Sequence, residues 1–215
     1  MTCANTNADP PSATRIGIMA DSHGDADRIT AAADYFRSCS CTLSVHLGDI
    51  CDTNRPQTAE DCLKRVITHH IVAIRGNNDH TLLLNRSSLI RPAIMAILQE
   101  MPLTRQIGSA LLTHSLPFAS TMGPRCMSED MRPAHIRRFF RVFPGMQLFR
   151  GHSHQPEMVQ PGKASLHREK IIPDRCYPLP SGQAAVVTCG ALAKGHGLIW
   201  DRLQETIELI ILADV

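Results

Sequence analysis

Five short polar motifs contain the residues of this sequence that could do chemistry, and each follows an apolar run typical of a buried strand. In chain order they are Asp21-Ser22-His23, Gly48-Asp49-Ile50-Cys51-Asp52, Gly76-Asn77-Asn78-Asp79, Thr113-His114 and Gly151-His152-Ser153-His154. Open sheets with crossover helices place their sites where such strands end. Because all five motifs are rich in Asp, Asn and His, we predict a metal site there.

The chemical types of the candidate ligands limit which metals could bind and which reactions they could support. Imidazole, carboxylate and amide groups suit Mn, Fe, Zn or Ni, and they poorly suit Cu(I) or an iron–sulfur cluster. Six or seven such groups exceed the four ligands that a structural zinc site needs. A pair of ions sharing a carboxylate would use them all, and ions about 3.5–4 Å apart are the apparatus of phosphoester hydrolysis.

Each residue taken alone also has a structural explanation. Asp21 and Asp49 could stabilise turns, which is the commonest role of Asp at strand ends. A lone histidine such as His114 is more often a hydrogen-bonded polar residue than a ligand. His152 and His154 would point to opposite sides of a continuing strand, so they suit two ions, or one ion and one bystander. The ordered combination of five motifs favours the metal site over these explanations.

The same ordered set, from about Arg15 to the C-terminus, resembles the calcineurin-like metallophosphoesterases, and most of all their small bacterial and archaeal phosphodiesterases. The resemblance implies an α/β fold, a four-layer α/β/β/α sandwich of two mixed sheets flanked by helices. It also implies two divalent metal ions, for which we expect Mn²⁺ first and Fe, Ni, Co or Zn as alternatives. By this resemblance one ion is bound by Asp21, His23 and His154, the second by Asn77, His114 and His152, and both by a bridging Asp49.

One position departs from the family pattern. Many members have His after the Asn of Gly-Asn-x-Asp, and some small phosphodiesterases have Cys, whereas this sequence has Asn78. An amide can donate a hydrogen bond but cannot deliver a proton at neutral pH. Asn78 is therefore a candidate catalytic residue without acid function, and His80 is the candidate substitute acid. The alternative for His80 is a loop residue that faces solvent.

The predicted function is a binuclear metal-dependent phosphoesterase that acts on a small phosphoester, with diesters favoured over monoesters. A metal-bridging hydroxide would attack phosphorus in line with the leaving oxygen, because bound water has its pKa lowered toward roughly 7. One alternative is a binding scaffold of the same fold with weak or no catalysis, as in the metallophosphoesterase-like subunit of the retromer. The others are a phosphomonoesterase and a nuclease of the same superfamily.

The composition agrees with this function. The 215 residues have a formal net charge of +2 and only 4% aromatic residues, so nucleic-acid binding is not indicated. No run of about 18 apolar residues predicts a membrane span. Eight cysteines, with neither Cys-x-x-Cys pairs nor an apolar leader, predict free thiols in a reducing cytoplasm. The oligomeric state stays open.

The hydrophobic periodicity divides the chain into elements. We predict a disordered tail over residues 1–14 and a single domain over residues 15–215. The predicted strands are 15–20, 42–47, 71–75, 106–112, 147–150, 184–188, 196–200 and 206–212. The predicted helices are 26–38, 58–68, 89–99 and 129–140, and residues 155–182 are predicted as one long loop, functional or disordered. Asp52 and Asp79 are expected to orient ligands or stabilise turns, and His46 to be structural.

Overall fold

Two six-stranded sheets form the centre of the computed structural model, which describes residues 13–85, 87–118, 125–163 and 165–213. The strands are β1 (Arg15–Met19), β2 (Leu43–His46), β3 (Val72–Ala73), β4 (Thr104–Ile107), β5 (Ala110–Thr113), β6 (Gln147–Arg150), β7 (Glu157–Pro161), β8 (Leu166–Lys170), β9 (Cys176–Pro178), β10 (Ala185–Thr188), β11 (His196–Asp201) and β12 (Thr206–Ile211). The α-helices are α1 (Ala26–Ser38), α2 (Ala59–Thr68), α3 (Asn77–Asn85), α4 (Pro92–Glu100), α5 (Arg125–Ser128) and α6 (Pro133–Val142).

Both sheets are mixed, and each contains a parallel group of three strands. The first sheet has the order β3-β2-β1-β11-β12-β9, with β1, β2 and β3 parallel. The second has the order β4-β5-β6-β10-β7-β8, with β5, β6 and β10 parallel. Parallel strands end at the same edge of their sheet, and the crevice outside those carboxyl ends is the usual place for a site.

Three apolar clusters separate the layers. Between the sheets, Trp200 of β11 packs on Phe149 of β6 with ring centroids 4.7 Å apart. On the outer face of the first sheet, α1, α2 and α4 cover a second cluster that includes Phe36. On the outer face of the second sheet, Phe139 of α6 packs in a third cluster with Leu148 of β6. The predicted four-layer α/β/β/α sandwich is therefore confirmed.

A missing side chain lets α1 lie close to the first sheet. A Cβ at Gly17 of β1 would lie 2.2 Å from Cγ of Phe36, so any other residue there would displace this fully buried ring. Close packing of α1 matters for the site, because the first motif connects β1 to this helix.

Two predicted stretches are wrong, one of them wholly within the second sheet. The predicted strand 106–112 is a hairpin of β4 and β5, joined by Gly108, with φ of +56°, and Ser109. Apolar residues on both sides of this two-residue turn concealed it. The predicted loop 155–182 contains β7, β8 and β9, of which β7 and β8 pair at the edge of the sheet. Pro161 is the last residue of β7 and Pro178 the last residue of β9, so these prolines end strands instead of preventing them.

Helix boundaries differ from the prediction where proline or a polar motif decides them. The predicted helices 89–99 and 129–140 begin instead at Pro92 and Pro133, which occupy the first turn, where proline needs no hydrogen-bond partner. The predicted cap Thr58 makes no side-chain capping bond, and its hydroxyl donates to the Arg55 carbonyl. The predicted strand 71–75 is only two residues long, and the unpredicted α3 begins at Asn77.

The predicted N-terminal tail, the absence of a predicted membrane span and the predicted free thiols can be compared with the structure. Residues 1–12 of the predicted tail lie outside the described residues, and the buried Ala13 accepts a hydrogen bond on its carbonyl from Arg202. Across the described part of the chain, no helix is both long enough and apolar enough to cross a bilayer. The seven cysteines in those ranges are free thiols.

Candidate metal centre

The seven candidate ligands lie together at one end of the sandwich, and both sheets contribute. From the first sheet come Asp21 and His23 after β1, Asp49 after β2 and Asn77 after β3; from the second come His114 after β5, and His152 and His154 after β6. Backbone hydrogen bonds join the loops, since Asp21 N donates to the Gly48 carbonyl and His23 N to the Asp49 carbonyl, each over 3.0 Å.

The backbone turns sharply at most of these ligands. Five of the seven have positive φ, between +47° and +71°: Asp21, His23, Asp49, His152 and His154. Such residues cost on the order of 1–3 kcal/mol each and occur mainly where the surrounding structure holds them for function. The turns also end the extended conformation, so His152 and His154 are not placed as neighbours on a continuing strand.

Two imidazoles and a carboxylate form the first group of ligand atoms. Nε2 of His23 lies 3.0 Å from Nε2 of His154. Oδ1 of Asp21 lies 3.5 Å from the same His154 nitrogen. All three atoms are within 4.8 Å of one another, as one cation would require.

An amide and two imidazoles form the second group. Oδ1 of Asn77 lies 3.0 Å from Nε2 of His114 and 3.0 Å from Nδ1 of His152. The two imidazole nitrogens are 3.2 Å apart. Nδ1 of His114 is 2.8 Å from the Leu47 carbonyl, and donating there leaves a lone pair on Nε2 that faces the group.

Carboxylates lie between the two groups. Oδ1 of Asp49 is 3.5 Å from Nε2 of His114, and Oδ1 of Asp21 is 3.9 Å from the same nitrogen. Asp21 is thus close to both groups, and Asp49 is close to Asp21 and His114. The two groups adjoin through these carboxylates.

The atoms present fit divalent cations. Oδ1 of the fully buried Asp21 has no hydrogen-bond partner among the described residues, which is costly for a carboxylate unless a cation neutralises it. Nitrogen and oxygen ligands lie about 2.0–2.2 Å from such an ion, so neighbouring ligands are about 3 Å apart. The separations of 3.0–3.2 Å in the second group match this spacing.

A sequence model described as the calcineurin-like phosphoesterase superfamily domain matches residues 14–193. The chain belongs to this superfamily. No protein of curated function matches the sequence. The superfamily comprises phosphoesterases that use divalent metals, which agrees with the buried Asp and His atoms.

Several solved structures share the fold of this chain. A metallophosphoesterase from Sphaerobacter thermophilus has a TM-score of 0.72 at 18% identity, covering 94% of this chain and 88% of that chain. The protein TT1561 of Thermus thermophilus has a TM-score of 0.55 at 9% identity, covering 93% and 99%. An archaeal phosphodiesterase has a TM-score of 0.50 at 17% identity, covering 92% and 99%. At these identities the likeness shows the fold alone.

Asp79 holds the backbone of the second and third motifs in place by hydrogen bonds. Its buried carboxylate accepts hydrogen bonds from the backbone N–H groups of Asp49, Cys51 and Gly76, each over 2.9 Å, and from that of Ile50 over 3.4 Å. Burial and the nearby Asp49 raise the pKa of Asp79, and the N–H groups oppose them. The residue therefore orients the second and third motifs, as the sequence predicted.

Close backbone approach explains the glycines of two motifs. A Cβ at Gly76 would lie 2.2 Å from Asp49 N and 2.3 Å from its Oδ1. A Cβ at Gly151 would lie 2.7 Å from Oδ2 of Asp21. Any side chain at these positions would push the carboxylates out of place.

A buried histidine, His46, makes hydrogen-bond contacts with the first and second motifs. Nδ1 of His46 accepts from Gly48 N over 3.2 Å, so the proton is on Nε2, which lies 3.0 Å from the Ser22 hydroxyl oxygen. That hydroxyl donates to the Ile50 carbonyl over 3.1 Å. Complete burial lowers the pKa of His46 to about 3, so the ring is neutral. His46 is structural, as expected.

Asn78 is bound to a candidate ligand. Its backbone N–H donates to Oδ1 of Asp49 over 2.8 Å, and its side-chain amide donates to Oδ2 over 2.7 Å. The amide oxygen accepts from the Thr53 hydroxyl over 3.0 Å. His80 lies on α3 instead of a loop, and its buried Nδ1 has no partner in the described chain. Its role stays a prediction.

Three residues near the centre were missed by sequence reasoning. Asp130 places a carboxylate oxygen 3.7 Å from Nε2 of His152. Thr53 orients Asn78. Arg150 is buried before Gly151, and burial lowers the pKa of its guanidinium to about 10, which leaves it charged at neutral pH. The arginine that directly precedes Gly151-His152 was the only available signal, because the other two residues lie outside the motifs.

We expect Asp79→Asn to destabilise the protein and its metal site. The amide nitrogen would face backbone donors, which costs about 1–3 kcal/mol, and displaced loops should weaken Mn²⁺ binding about 10- to 100-fold. Thermal unfolding and Mn²⁺ titration measure the two effects. Asp52→Asn is the matched control, since among the described residues that carboxylate binds only the Arg55 side chain and the Asn54 N–H, neither of which is a candidate ligand. Equal effects of both substitutions would contradict the assignment.

Metal affinity should depend on the protonation of His114. Burial lowers the pKa of His114, but Asp49 and Asp21 outweigh it and raise the pKa to about 9 without metal. Protonated His114 therefore stabilises the metal-free protein. This contribution is fully present below about pH 6.5, and it is lost as the pH rises through 9. Since an ion must displace the proton, Mn²⁺ affinity should rise about tenfold per pH unit between these values.

The measurement is calorimetric titration of Mn²⁺ at about pH 6.5, 7.5 and 8.5 in buffers of different ionisation enthalpy, which also counts the released protons. Asp49 stays charged over this range because His114 and Asn78, against the effect of burial, lower its pKa. His114→Gln should bind Mn²⁺ weakly and without this slope. An unchanged slope in that variant would show that another group supplies the proton.

Proposed function

We propose that this protein is a binuclear metal-dependent phosphodiesterase acting on a small phosphoester. The observation that supports it most strongly is the pair of adjoining ligand groups, Asp21 with His23 and His154, and Asn77 with His114 and His152, linked by buried carboxylates. Mn²⁺ is the metal we propose, because nitrogen and oxygen ligands without thiolates suit it. Divalent ions bound there would lower the pKa of a bound water toward about 7 and neutralise charge on phosphate.

Neighbouring residues would orient the metal ligands. The contacts of Ser22 also exclude it as a covalent nucleophile. Asn78 and Asp79 hold Asp49 and its loop, while Leu47 fixes the orientation of His114. The Ser22 hydroxyl is buried and already donates to the Ile50 carbonyl, so it is not free to attack a substrate. Hydrolysis would then depend on water activation at the two ligand groups.

Asn78 supports diesters over monoesters. Both of its side-chain atoms are engaged, with Asp49 and with Thr53, and an amide is no acid at neutral pH. Diesters with good leaving groups need no proton from the protein. We also propose a cytoplasmic location, which agrees with the seven free cysteines of the described residues.

Turnover of bis-(p-nitrophenyl) phosphate tests the proposal. With added Mn²⁺ the purified protein should hydrolyse this diester, and EDTA should stop the reaction. Asp49→Asn should lower kcat by about 10²-fold or more, because it removes a charged ligand from the centre. Asp52→Asn, in the same motif but outside the ligand groups, should retain the rate. Failure to hydrolyse any mono- or diester with Mn, Ni, Co, Fe or Zn would favour a binding scaffold.

The leaving group should decide which esters are good substrates. Aryl diesters release a weakly basic phenolate, so they should be hydrolysed well, whereas alkyl esters such as glycerol phosphate should be poor. If His80 acts as the acid, alkyl esters should be hydrolysed and His80→Ala should slow them about 10²–10⁴-fold more than aryl esters. Similar rates for alkyl and aryl esters, unchanged in His80→Ala, would contradict both roles.

A further inference from the structure

A groove opens beside the two ligand groups. His152 and His154 line one part of it, and its volume is about 860 Å³. It continues past β8, with Lys170 and Ile172, to Lys194 and His196 at the start of β11. Pockets of about 300–1,000 Å³ accommodate ligands of drug size, so this groove can hold much more than one phosphate.

The groove is rich in positive charge. Four cationic side chains line it, Arg150, Arg168, Lys170 and Lys194, against the two carboxylates of Asp130 and Glu157. Only Glu157 is paired with one of these cations among the described residues. Glu157 binds Arg168 through both oxygens, over 3.0 and 2.9 Å, and Asp130 lies 3.7 Å from His152.

The other three cations have no carboxylate partner within 4.0 Å among the described residues. Arg150 is 4% exposed, and within the described ranges it donates only to neutral groups, the Ser115 carbonyl and the hydroxyls of Ser115 and Thr188. Lys170 and Lys194 are exposed, and their ammonium groups make no ion pair in that part of the chain. A cation-lined cleft attracts an anion, and charge-assisted contacts are the strong ones.

We propose that Lys170 and Lys194 bind a second anionic group of the substrate, beyond the phosphate at the ligand groups, so that the substrate class is small phosphodiesters carrying a further phosphate or carboxylate. This inference rests on the proposed function. Arg150 fixes positive charge at the groove wall, and the half-exposed Ile172 offers an apolar surface for the organic part between the anionic groups.

Three chromogenic diesters test the subsite. They are p-nitrophenyl esters of thymidine 5′-phosphate with a hydroxyl, a phosphate or a carboxymethyl ether at the 3′ position. With Mn²⁺-loaded protein, kcat/KM for the 3′-phosphate should exceed that for the 3′-hydroxyl by about tenfold or more, the effect of one charge-assisted contact. A preference shared by the carboxymethyl ether assigns the subsite to anions generally, and a preference for phosphate alone assigns it to phosphate.

The double variant K170A/K194A should bring this ratio close to one. Lys163→Ala is the matched control, because Lys163 is also an exposed lysine but lies at the turn after β7, outside the groove, and it should keep the ratio. Calorimetry gives a readout without turnover: wild type should bind thymidine 3′,5′-bisphosphate about tenfold more tightly than thymidine 5′-monophosphate, and the double variant should not.

The outcomes separate this inference from the proposed function. Turnover of the 3′-hydroxyl diester with a ratio near one, or a ratio that survives K170A/K194A, overturns the subsite and leaves the phosphodiesterase intact. Failure to turn over any of the diesters, or bis-(p-nitrophenyl) phosphate, overturns the phosphodiesterase and the subsite together.

Discussion

The site depends on three carboxylates that are buried at one end of the sandwich and whose oxygens must be compensated by hydrogen bonds or positive charge. Asp79 is satisfied by four backbone N–H groups, and Asp49 by Asn78 and His114. Asp21 has one oxygen bound to the His152 N–H and the other without a hydrogen-bond partner among the described residues. Asp49 and Asp21 raise the pKa of His114 against the effect of its burial, so the metal-free centre favours a proton on that ring, whereas divalent ions would take the place of this positive charge.

Each ligand group contains residues from both sheets, so metal binding depends on how the two sheets are packed together. In the first group, Asp21 and His23 follow β1 and His154 follows β6; in the second, Asn77 follows β3, while His114 and His152 follow β5 and β6. Neither sheet alone supplies all three members of either group. Bound cations would therefore hold the sheets together at this end, so part of the metal-binding free energy becomes folding free energy. That stabilisation can offset the five ligands held at positive φ.

The candidate ligands could be proposed from sequence because each directly follows a strand, and apolar runs such as Ile16 to Ala20 identify strands well. Their pairing into two groups came from family resemblance, and the backbone turns at His152 and His154 were not evident in the sequence. The hairpin at Gly108 and the strands β7 to β9 were missed because their apolar and polar residues do not alternate cleanly. Edge strands with one exposed side and several prolines carry little periodic signal.

The proposed second anion subsite depends mainly on those unpredicted elements. Lys170 comes from β8, inside a stretch predicted as one loop, and Lys194 from a short 3-10 helix farther along the chain. No motif links them, because only the folded sheets bring the two chain segments to one groove. Long-range attraction between a lysine and a phosphate weakens within a Debye length of about 8 Å at physiological salt. A subsite of exposed lysines should therefore lose its preference for a diester with a second anionic group as ionic strength rises, whereas the buried Arg150, shielded from solvent ions, should retain its effect on the groove.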